Sequence, residues 1–332
     1  MRYRQLGNSG LTVSEIGFGT WGLGGTSYGR TDDAVSIRAL KRAFDLGVTF
    51  YDTSDLYGDG HAETVLGRAF EGTIRKSAII ASKGGLLPHD SFEMPYDFSI
   101  EYLRKALEAS LTRLQTEYLD LYLLHSPDLK TLDREPVLRF LEDLVSSGKI
   151  RSFGISVRSP NDGLAIAAGD RVNAMEVNFN LIDQRAQEIG LFTEVSNRSI
   201  GLICRTPLCF GFLTGAFNEQ STFEATDHRR HWPKEQLRRW TQAVELFREI
   251  YTRLGLTPSQ FALAYCLSKT AISTTIPGML TEEQVTENVG TSGLPALDSE
   301  TVQNIESIYK SHVFYDPAVK AAAGKNEGAA AN

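Results

Sequence analysis

Short apolar runs alternate with amphipathic segments along most of this chain, and the alternation is the main evidence for its fold. Eight runs have strand character, and they cover residues 16–20, 48–53, 77–83, 118–125, 150–156, 174–180, 201–207 and 272–278. Short, nearly continuous apolar runs are typical of strands that are buried on both faces of a parallel sheet. The pattern therefore predicts eight buried strands.

Segments with a helical period lie between these runs. Residues 33–47 place apolar side chains on one side and end at Gly47, and residues 99–114 begin at Ser99 with a leucine-rich stripe. A third segment, 136–148, opens with Pro136 and closes with Gly148, as helix ends commonly do. These boundaries predict helices that connect successive strands.

Eight strand–helix units in a chain of 332 residues indicate the α/β class, in the form of a (β/α)8 TIM barrel with an N-terminal β-hairpin. The first residues do not fit the repeat and predict a hairpin around Asn8 to Gly10, placed to close the barrel bottom. No change in composition marks an internal boundary, so residues 1–317 are expected to form one barrel. Residues 318–332 are a low-complexity tail.

Composition excludes several functional classes. The net charge of −7 argues against a nucleic-acid partner, which would need a basic face. No apolar stretch is long enough for a signal peptide or a membrane span, so a cytoplasmic protein that binds no membrane is expected. The three cysteines, Cys204, Cys209 and Cys266, have no C-x-x-C spacing, and neither disulfides nor a metal site is expected. Oligomers remain open.

Four chemically distinct side chains lie at or just beyond the ends of three consecutive predicted strands. They are Asp52, Tyr57, Lys83 and His125, and strand ends of this kind face the active site of a barrel. Lys83 beside Tyr57 would lower the tyrosine pKa, Asp52 would keep Lys83 charged, and His125 could orient a carbonyl oxygen or relay a proton. Each residue alone could be a cap, a packing aromatic or a core histidine. Together they favour proton donation to a carbonyl group that accepts a hydride.

These residues lie in segments that resemble the aldo-keto reductase family. The matching blocks are DTSDLYGDGHAETVLGRAF (52–70), ASKGG (81–85), LYLLHSP (121–127), GKIRSFGIS (148–156), TPLCFGFLTG (206–215) and IPGMLTEEQVTENV (276–289). The resemblance implies an NADPH- or NADH-dependent oxidoreductase with Tyr57 as general acid and a small carbonyl compound as substrate. GTWGLGG (19–25) and the 207–215 block resemble bacterial members that act on small or sugar-like carbonyls. No G-x-G-x-x-G fingerprint is needed, because the family binds its dinucleotide across the barrel mouth.

The resemblance also implies a set of dinucleotide-binding positions at the strand ends and in the late block. In this sequence they are Gly19, Thr20, Trp21, Ser156, Glu176, Arg205, Pro207, Leu208, Gly211, Leu213, Gly215, Gly278, Met279, Leu280, Gln284, Glu287 and Asn288.

Val157, Glu176 and Arg205 depart from the usual family pattern. Ser156 is followed by Val157 where an asparagine is common, and Glu176 stands where a glutamine often holds the nicotinamide carboxamide. Glu176 can accept a hydrogen bond from the carboxamide, with one hydrogen bond fewer than glutamine makes. Arg205 replaces a ring-stacking tyrosine. It could stack on the reduced nicotinamide, or it could turn away to pair with Glu176 or with substrate.

The charges of the late block bear on which dinucleotide binds. Members that use NADPH usually carry a cation here for the 2′-phosphate, whereas residues 278–284 contain no cation and the two carboxylates Glu282 and Glu283. The family default is NADPH, but the local charges favour NADH, with one of these glutamates on the ribose 2′-hydroxyl. Alternatively, a cation could arrive from the basic stretch 228–234, whose simplest interpretation is a solvated face.

Aromatic and apolar residues in variable loops could line a substrate pocket. They are Trp21, Tyr28, Leu86, Leu87, Phe92, Met94, Tyr96, Phe210 and Phe212. Three other functions stay open: a sugar epimerase or lyase that retains its cofactor, a regulatory barrel without turnover, and an aldolase that forms a Schiff base at Lys83.

Overall fold

The computed structural model of the chain describes residues 1–88, 94–132, 135–169 and 171–316. An antiparallel hairpin comes first, formed by β1 (Tyr3–Gln5) and β2 (Thr12–Ser14). Eight strands then form a parallel sheet in chain order: β3 (Phe18–Gly19), β4 (Phe50–Asp52), β5 (Ile79–Gly84), β6 (Leu119–His125), β7 (Ile150–Ser156), β8 (Ala174–Asn178), β9 (Gly201–Arg205) and β10 (Ile272–Thr275).

The sheet closes on itself at its first and last strands. Parallel bridges join Ile16 to Thr275 and Gly19 to Gly278, so β3 and β10 are neighbours. Closure of eight parallel strands removes both sheet edges and produces the (β/α)8 barrel that the strand count predicts.

Helices surround this barrel in the described part of the chain. They are α1 (Asp33–Asp45), α2 (His61–Ala69), α3 (Ile100–Leu114), α4 (Leu129–Leu132), α5 (Glu135–Ser146), α6 (Pro160–Ala168), α7 (Arg185–Glu188), α8 (Leu191–Asn197), α9 (Lys234–Ala243), α10 (Arg248–Arg253), α11 (Pro258–Leu267), α12 (Glu282–Gly290) and α13 (Ser299–Ser311). Short 3-10 segments cover Trp21–Gly24, Ile74–Lys76, Cys209–Thr214, His228–His231, Val244–Phe247 and Thr291–Gly293.

Helix α3 shows how the sequence specifies these elements. The Ser99 side chain accepts a hydrogen bond from the Tyr102 backbone N–H and caps the first turn. Its buried face consists of Leu103, Leu107, Ser110, Leu111 and Leu114, a spacing of three or four residues that directs one stripe toward the sheet. The helix ends at Gln115, which adopts a left-handed conformation.

The hairpin closes the N-terminal end of the barrel. Its Leu6, Leu11 and Val13 are buried in the same apolar cluster as strand residues inside the barrel. Those strand residues are Phe50, Ala81, Leu121, Leu123, Ala174 and Ile203, with Ile276 just beyond β10. The hairpin predicted at the barrel bottom is therefore present.

All eight predicted strands are confirmed, and most are shorter than the apolar runs that predicted them. The predicted helices 33–47, 99–114 and 136–148 correspond to α1, α3 and α5, with ends that differ by no more than two residues. Residues 318–332 lie outside the described residues. Within the described ranges, no helix has the length and hydrophobicity that a bilayer crossing requires.

Candidate active site

The pleat of the strands brings the polar strand-end residues into the barrel. Along a strand, residues two apart share a face. Ala81 and Leu123 lie in the inner apolar cluster, so Lys83 and His125, two residues further on, belong to the same inner face. Asp52, Glu176 and Arg205 likewise follow inner residues by two positions, namely Phe50, Ala174 and Ile203. The candidate site is the top layer of the barrel interior.

Lys83 is the centre of this layer, and its side chain is fully buried. Its Nζ lies 2.6 Å from both carboxylate oxygens of Asp52 and 3.0 Å from the Thr53 carbonyl oxygen. The Tyr57 hydroxyl is 3.1 Å from the same Nζ. Three of the four strand-end residues predicted to act together are therefore in direct contact.

Glu176 supplies a second buried carboxylate to Lys83. Its Oε2 lies 3.4 Å from the Lys83 Nζ, and its Oε1 accepts a hydrogen bond of 3.1 Å from the Ser156 hydroxyl. Arg205 approaches Oε1 through its Nε at 3.8 Å and donates through Nη2 to the Val157 carbonyl. The arginine thus pairs with Glu176, which was one of the alternatives that the sequence left open.

A close backbone contact fixes the turn that carries Tyr57. Gly58 has a φ of +62°, and a Cβ atom there would come within 2.2 Å of the Gly24 carbonyl oxygen. Only glycine fits both the conformation and the space. The Tyr57 ring then packs against Trp21 at 6.4 Å and against His125 at 6.2 Å between ring centroids.

His125 is the fourth predicted member, and it joins the others through a different residue. The Ser54 hydroxyl lies 3.2 Å from the His125 Nδ1 and 3.0 Å from the Asp55 carboxylate. Sequence reasoning missed both Ser54 and Asp55, although they stand inside the 52–70 block. Their positions in the sequence do not predict a contact with His125, because that contact depends on how the loop after β4 folds.

Burial and charge set the pKa values of this cluster. Burial tends to lower the pKa of Lys83, but the carboxylates of Asp52 and Glu176 outweigh that effect and raise it above its ordinary value. Burial and Glu176 hold the pKa of Asp52 well above its usual range, despite Lys83. The prediction of a lowered pKa for Tyr57 is wrong. Burial raises the pKa of Tyr57, and the two carboxylates add to the rise that Lys83 opposes.

Comparison with known proteins identifies the protein family. The model of the aldo/keto reductase family matches residues 15–310. The chain belongs to the aldo/keto reductase family. This aldo/keto reductase is an NAD(P)-dependent oxidoreductase that acts on carbonyl or alcohol groups.

Individual relatives agree with this assignment. The chain is 34% identical over 309 residues to the NADP(+) aldo-keto reductase yakc of Schizosaccharomyces pombe, covering 91% of this chain and 89% of the relative. It is 44% identical over 162 residues to a 6-dehydroglucose reductase of Novosphingobium aromaticivorans, covering 46% and 51%. The glycerol dehydrogenase of Gluconobacter oxydans superposes with a TM-score of 0.79 at 28% identity, covering 95% and 98%.

Several buried polar atoms near the strand ends of this aldo/keto reductase lack a hydrogen-bond partner among the described residues. They are Thr20 Oγ1, Thr53 Oγ1, Glu176 Oε2 and Arg205 Nε. Gly278 adds open space, because a Cβ atom there would meet nothing within 4 Å. A carboxamide both donates and accepts hydrogen bonds, so this mixed set of donors and acceptors fits a nicotinamide group.

The remaining predicted dinucleotide positions lie in three parts of the structure: around β3, after β9 and in the late block. Gly19 pairs with Gly278, and Trp21 opens a 3-10 segment at the barrel mouth. Leu213, Met279 and Asn288 are buried. The positions that follow β9 are Pro207, Leu208, Gly211 and Gly215.

Side chains of the late block make contacts within the protein. The Gln284 side chain accepts from the Leu280 backbone N–H at 2.7 Å, which holds the loop before α12. Glu287 accepts from the Thr257 hydroxyl at 2.5 Å. Gln284 therefore stabilises its own loop, and Glu287 links α12 to Thr257, the residue that precedes α11.

Barrel closure brings cations beside the acidic late block. Helix α1 packs against α12, where the Arg38 Nε lies 3.4 Å from a Glu282 carboxylate oxygen and Arg42 reaches Thr286 at 3.4 Å. Sequence reasoning missed both arginines. They could have been found from the predicted topology, because the first and last helices of a closed barrel are neighbours.

The basic stretch does not provide a free cation at Arg229. Its guanidinium forms a buried pair with Asp227 at 2.6 Å and lies over the rings of Tyr28, Phe217 and Phe223. The interpretation of this arginine as solvated is therefore wrong, whereas Arg230 is exposed.

Two of the residues proposed to line a substrate pocket cannot be placed there. Phe212 is fully buried in the core, and Phe92 lies outside the described residues. Trp21, Tyr28 and Phe210 do form one aromatic group with His228, with centroid distances of 4.6 to 5.3 Å to the imidazole. Within the described ranges, no set of three or more His, Cys, Asp or Glu side chains is arranged to hold a metal ion.

Proposed function

We propose that this protein reduces an aldehyde or ketone to an alcohol, with Tyr57 as the proton donor. The observation that carries the proposal is the 3.1 Å contact between the Tyr57 hydroxyl and Lys83, whose ammonium group is held by Asp52 at 2.6 Å. A tyrosine whose phenolate would form beside a fixed positive charge can release its proton to a developing alkoxide.

The raised pKa of Tyr57 is compatible with a role as proton donor. A proton donor must be protonated at the working pH, and burial together with Asp52 and Glu176 keeps the hydroxyl in that state. Lys83 then stabilises the phenolate after the proton has left. His125 ends β6 on the inner face of the barrel, and its ring lies 6.2 Å from the Tyr57 ring. In this position it orients the carbonyl oxygen.

The residues fit a nicotinamide dinucleotide, which supplies the hydride when it is bound. Glu176 would accept from the carboxamide through its Oε2, which lacks a hydrogen-bond partner among the described residues, and Ser156 holds the other oxygen of that carboxylate. Arg205, paired with Glu176, balances the second negative charge beside Lys83. The backbone of 207–215 and 278–280 would hold the remainder.

We expect NADH to bind more tightly than NADPH. Glu282 and Glu283 occupy the first turn of α12, and Arg38 is already paired with Glu282. A 2′-phosphate would meet two carboxylates, whereas a 2′-hydroxyl can donate to one. Fluorescence titration should give a dissociation constant for NADPH roughly ten-fold above that for NADH, equivalent to about 1.4 kcal/mol.

Glu282→Gln and Glu283→Gln test the cause of this preference. Each should narrow the difference between the two dinucleotides by removing a negative charge. Glu300→Gln is the matched control, because Glu300 is an exposed glutamate in the first turn of α13, and it should change neither constant. Tighter binding of NADPH by the unmodified protein would reject the preference.

A sugar-like carbonyl compound is the proposed substrate class. The relatives named for 6-dehydroglucose and for glycerol both act on polyhydroxylated compounds. The aromatic group of Trp21, Tyr28 and Phe210 adjoins Tyr57 and provides apolar faces of the kind that sugar rings stack on.

The proposed reaction predicts net hydride transfer to the carbonyl carbon. Reduction of glyceraldehyde with NADH deuterated at C4 of the nicotinamide should place one deuterium on C1 of the glycerol formed, with one NADH oxidised per glycerol. Mass spectrometry and absorbance at the NADH band measure both quantities. Product formation without consumption of NADH would instead support an epimerase or lyase.

The Schiff-base alternative is disfavoured by the charge on Lys83. An amine must be neutral to attack a carbonyl carbon, and Asp52 and Glu176 raise the pKa of Lys83. The buried carboxylates therefore hold this lysine in its unreactive form.

A further inference from the structure

The Ser54 hydroxyl links His125 to a second ionisable side chain, Asp55. Ser54 is fully buried, and its Oγ lies 3.2 Å from the His125 Nδ1 and 3.0 Å from the Asp55 Oδ1. The Leu56 backbone N–H donates to the same Oγ at 3.2 Å. This short chain of hydrogen bonds leads from the active site into the loop after β4.

The hydrogen-bonding capacity of a hydroxyl limits this chain to two arrangements. A hydroxyl donates one proton and accepts at two lone pairs, and the Leu56 N–H always occupies one lone pair. If Asp55 is ionised, Ser54 must donate to it, so its second lone pair accepts from the His125 Nδ1–H. If Asp55 is protonated, it can donate to Ser54, and Ser54 then donates to an unprotonated Nδ1. Both arrangements satisfy the Ser54 hydroxyl, the Leu56 N–H, the Asp55 carboxyl group and the His125 Nδ1.

The surroundings of Asp55 allow it to occupy either state near neutral pH. Burial and the Glu63 carboxylate on α2 raise the pKa of Asp55 to about 7, while Ser54 and Arg113 oppose the rise. Arg113 on α3 is committed to Glu63, with its Nε 2.7 Å from the Glu63 Oε2. Asp55 therefore has no ion pair of its own among the described contacts.

Other ionisable groups that face this loop come from α3 and β6. They are Tyr102 on α3 and Tyr122 on β6, in addition to His125. The pKa values of both tyrosines are raised, so both hydroxyls stay neutral across the range in which Asp55 titrates.

We propose that Ser54 and Asp55 are positioning residues that select the tautomer of His125. A protonated Asp55 places the imidazole proton on Nε2, and an ionised Asp55 places it on Nδ1. The change balances in protons: the Asp55 proton passes to Ser54, the Ser54 proton passes to Nδ1, and the Nε2 proton leaves to water. The nitrogen away from Ser54 is thereby converted from a donor to an acceptor.

The consequence for catalysis rests on the proposed function, in which His125 orients a carbonyl oxygen. A carbonyl oxygen only accepts, so it needs the Nε2–H tautomer. Carbonyl binding should therefore weaken as the pH rises through the titration of Asp55. The loss of one hydrogen bond predicts a KM for the carbonyl substrate that rises by roughly ten-fold between pH 6 and pH 8.

Nitrogen-15 NMR of the imidazole side chains in the full-length protein, without substrate or dinucleotide, tests the tautomer directly. His125→Asn identifies the His125 signals by their loss. The wild-type signals should change from the Nε2–H pattern to the Nδ1–H pattern with a midpoint near pH 7. Asp55→Asn and Ser54→Ala should abolish that transition, and Ser54→Thr, which keeps the hydroxyl, should retain it.

The outcomes separate this proposal from the proposed function. One tautomer at all pH values in the wild type, or an unchanged transition in Asp55→Asn, would overturn the tautomer selection whatever the activity. A transition in the NMR spectra combined with no carbonyl reduction would leave the tautomer selection intact and reject the function. Circular dichroism of each variant verifies that it is folded.

Discussion

Replacement of Tyr57 by phenylalanine is expected to lower kcat for carbonyl reduction by roughly 10²- to 10⁴-fold, the range attributed to a positioned general acid. The hydroxyl that contacts Lys83 is the group proposed to donate the proton, and phenylalanine keeps the ring that packs on Trp21. Steady-state assays with glyceraldehyde and saturating NADH would measure the loss. Dinucleotide affinity should stay within about two-fold, because Tyr57→Phe retains the other contacts.

Tyr122→Phe is the matched control for this experiment. Tyr122 is also a buried tyrosine, and its hydroxyl has no hydrogen-bond partner among the described residues. Removing that hydroxyl should leave kcat unchanged and should not reduce stability. Equal activity of Tyr57→Phe and the unmodified protein would remove Tyr57 from proton donation.

Replacement of Lys83 by methionine is expected to lower the free energy of unfolding by about 3–5 kcal/mol near pH 8. The loss arises because Asp52 and Glu176 remain buried without the cation that lies 2.6 and 3.4 Å from them. Urea unfolding followed by circular dichroism would measure it. Lys105→Met is the surface control, since Lys105 forms an exposed pair with Glu101 and should change stability by only about 0.5 kcal/mol.

The pH dependence of the Lys83→Met variant has a defined sign. The pKa of Asp52 is already raised in the folded protein, by burial and by Glu176, and loss of Lys83 raises it further. A folded state that binds a proton more tightly than the unfolded state becomes more stable as pH falls through the folded pKa. The variant should therefore recover part of its stability on acidification.

A second substitution tests the same cause. Adding Asp52→Asn to Lys83→Met should restore part of the lost stability, because it removes the carboxylate that the first substitution leaves without a cation. A loss below about 1 kcal/mol for Lys83→Met alone would contradict the view that the two carboxylates depend on this lysine.

The architecture could be predicted from local sequence because its signals are local. Eight apolar runs with helical segments between them predict a closed parallel sheet, since each run is short enough to be a strand and too apolar to lie at a surface. The period of two along each strand then places Asp52, Lys83 and His125 on the inner face. The residue types at the strand ends, together with the family resemblance, predicted that these three residues and Tyr57 lie close together, and they do.

What the sequence alone determined is therefore the barrel, its closing hairpin and the residue types at its mouth. The tertiary structure decided how those residues share charge. Glu176 lies next to Lys83, Arg205 turns to Glu176, and the pKa of Tyr57 rises where the sequence predicted a fall. The sequence prediction for the Tyr57 pKa considered only the neighbouring Lys83. A pKa depends on burial and on every charge within a few ångströms. Those distances exist only after strands far apart in the chain have closed into one ring.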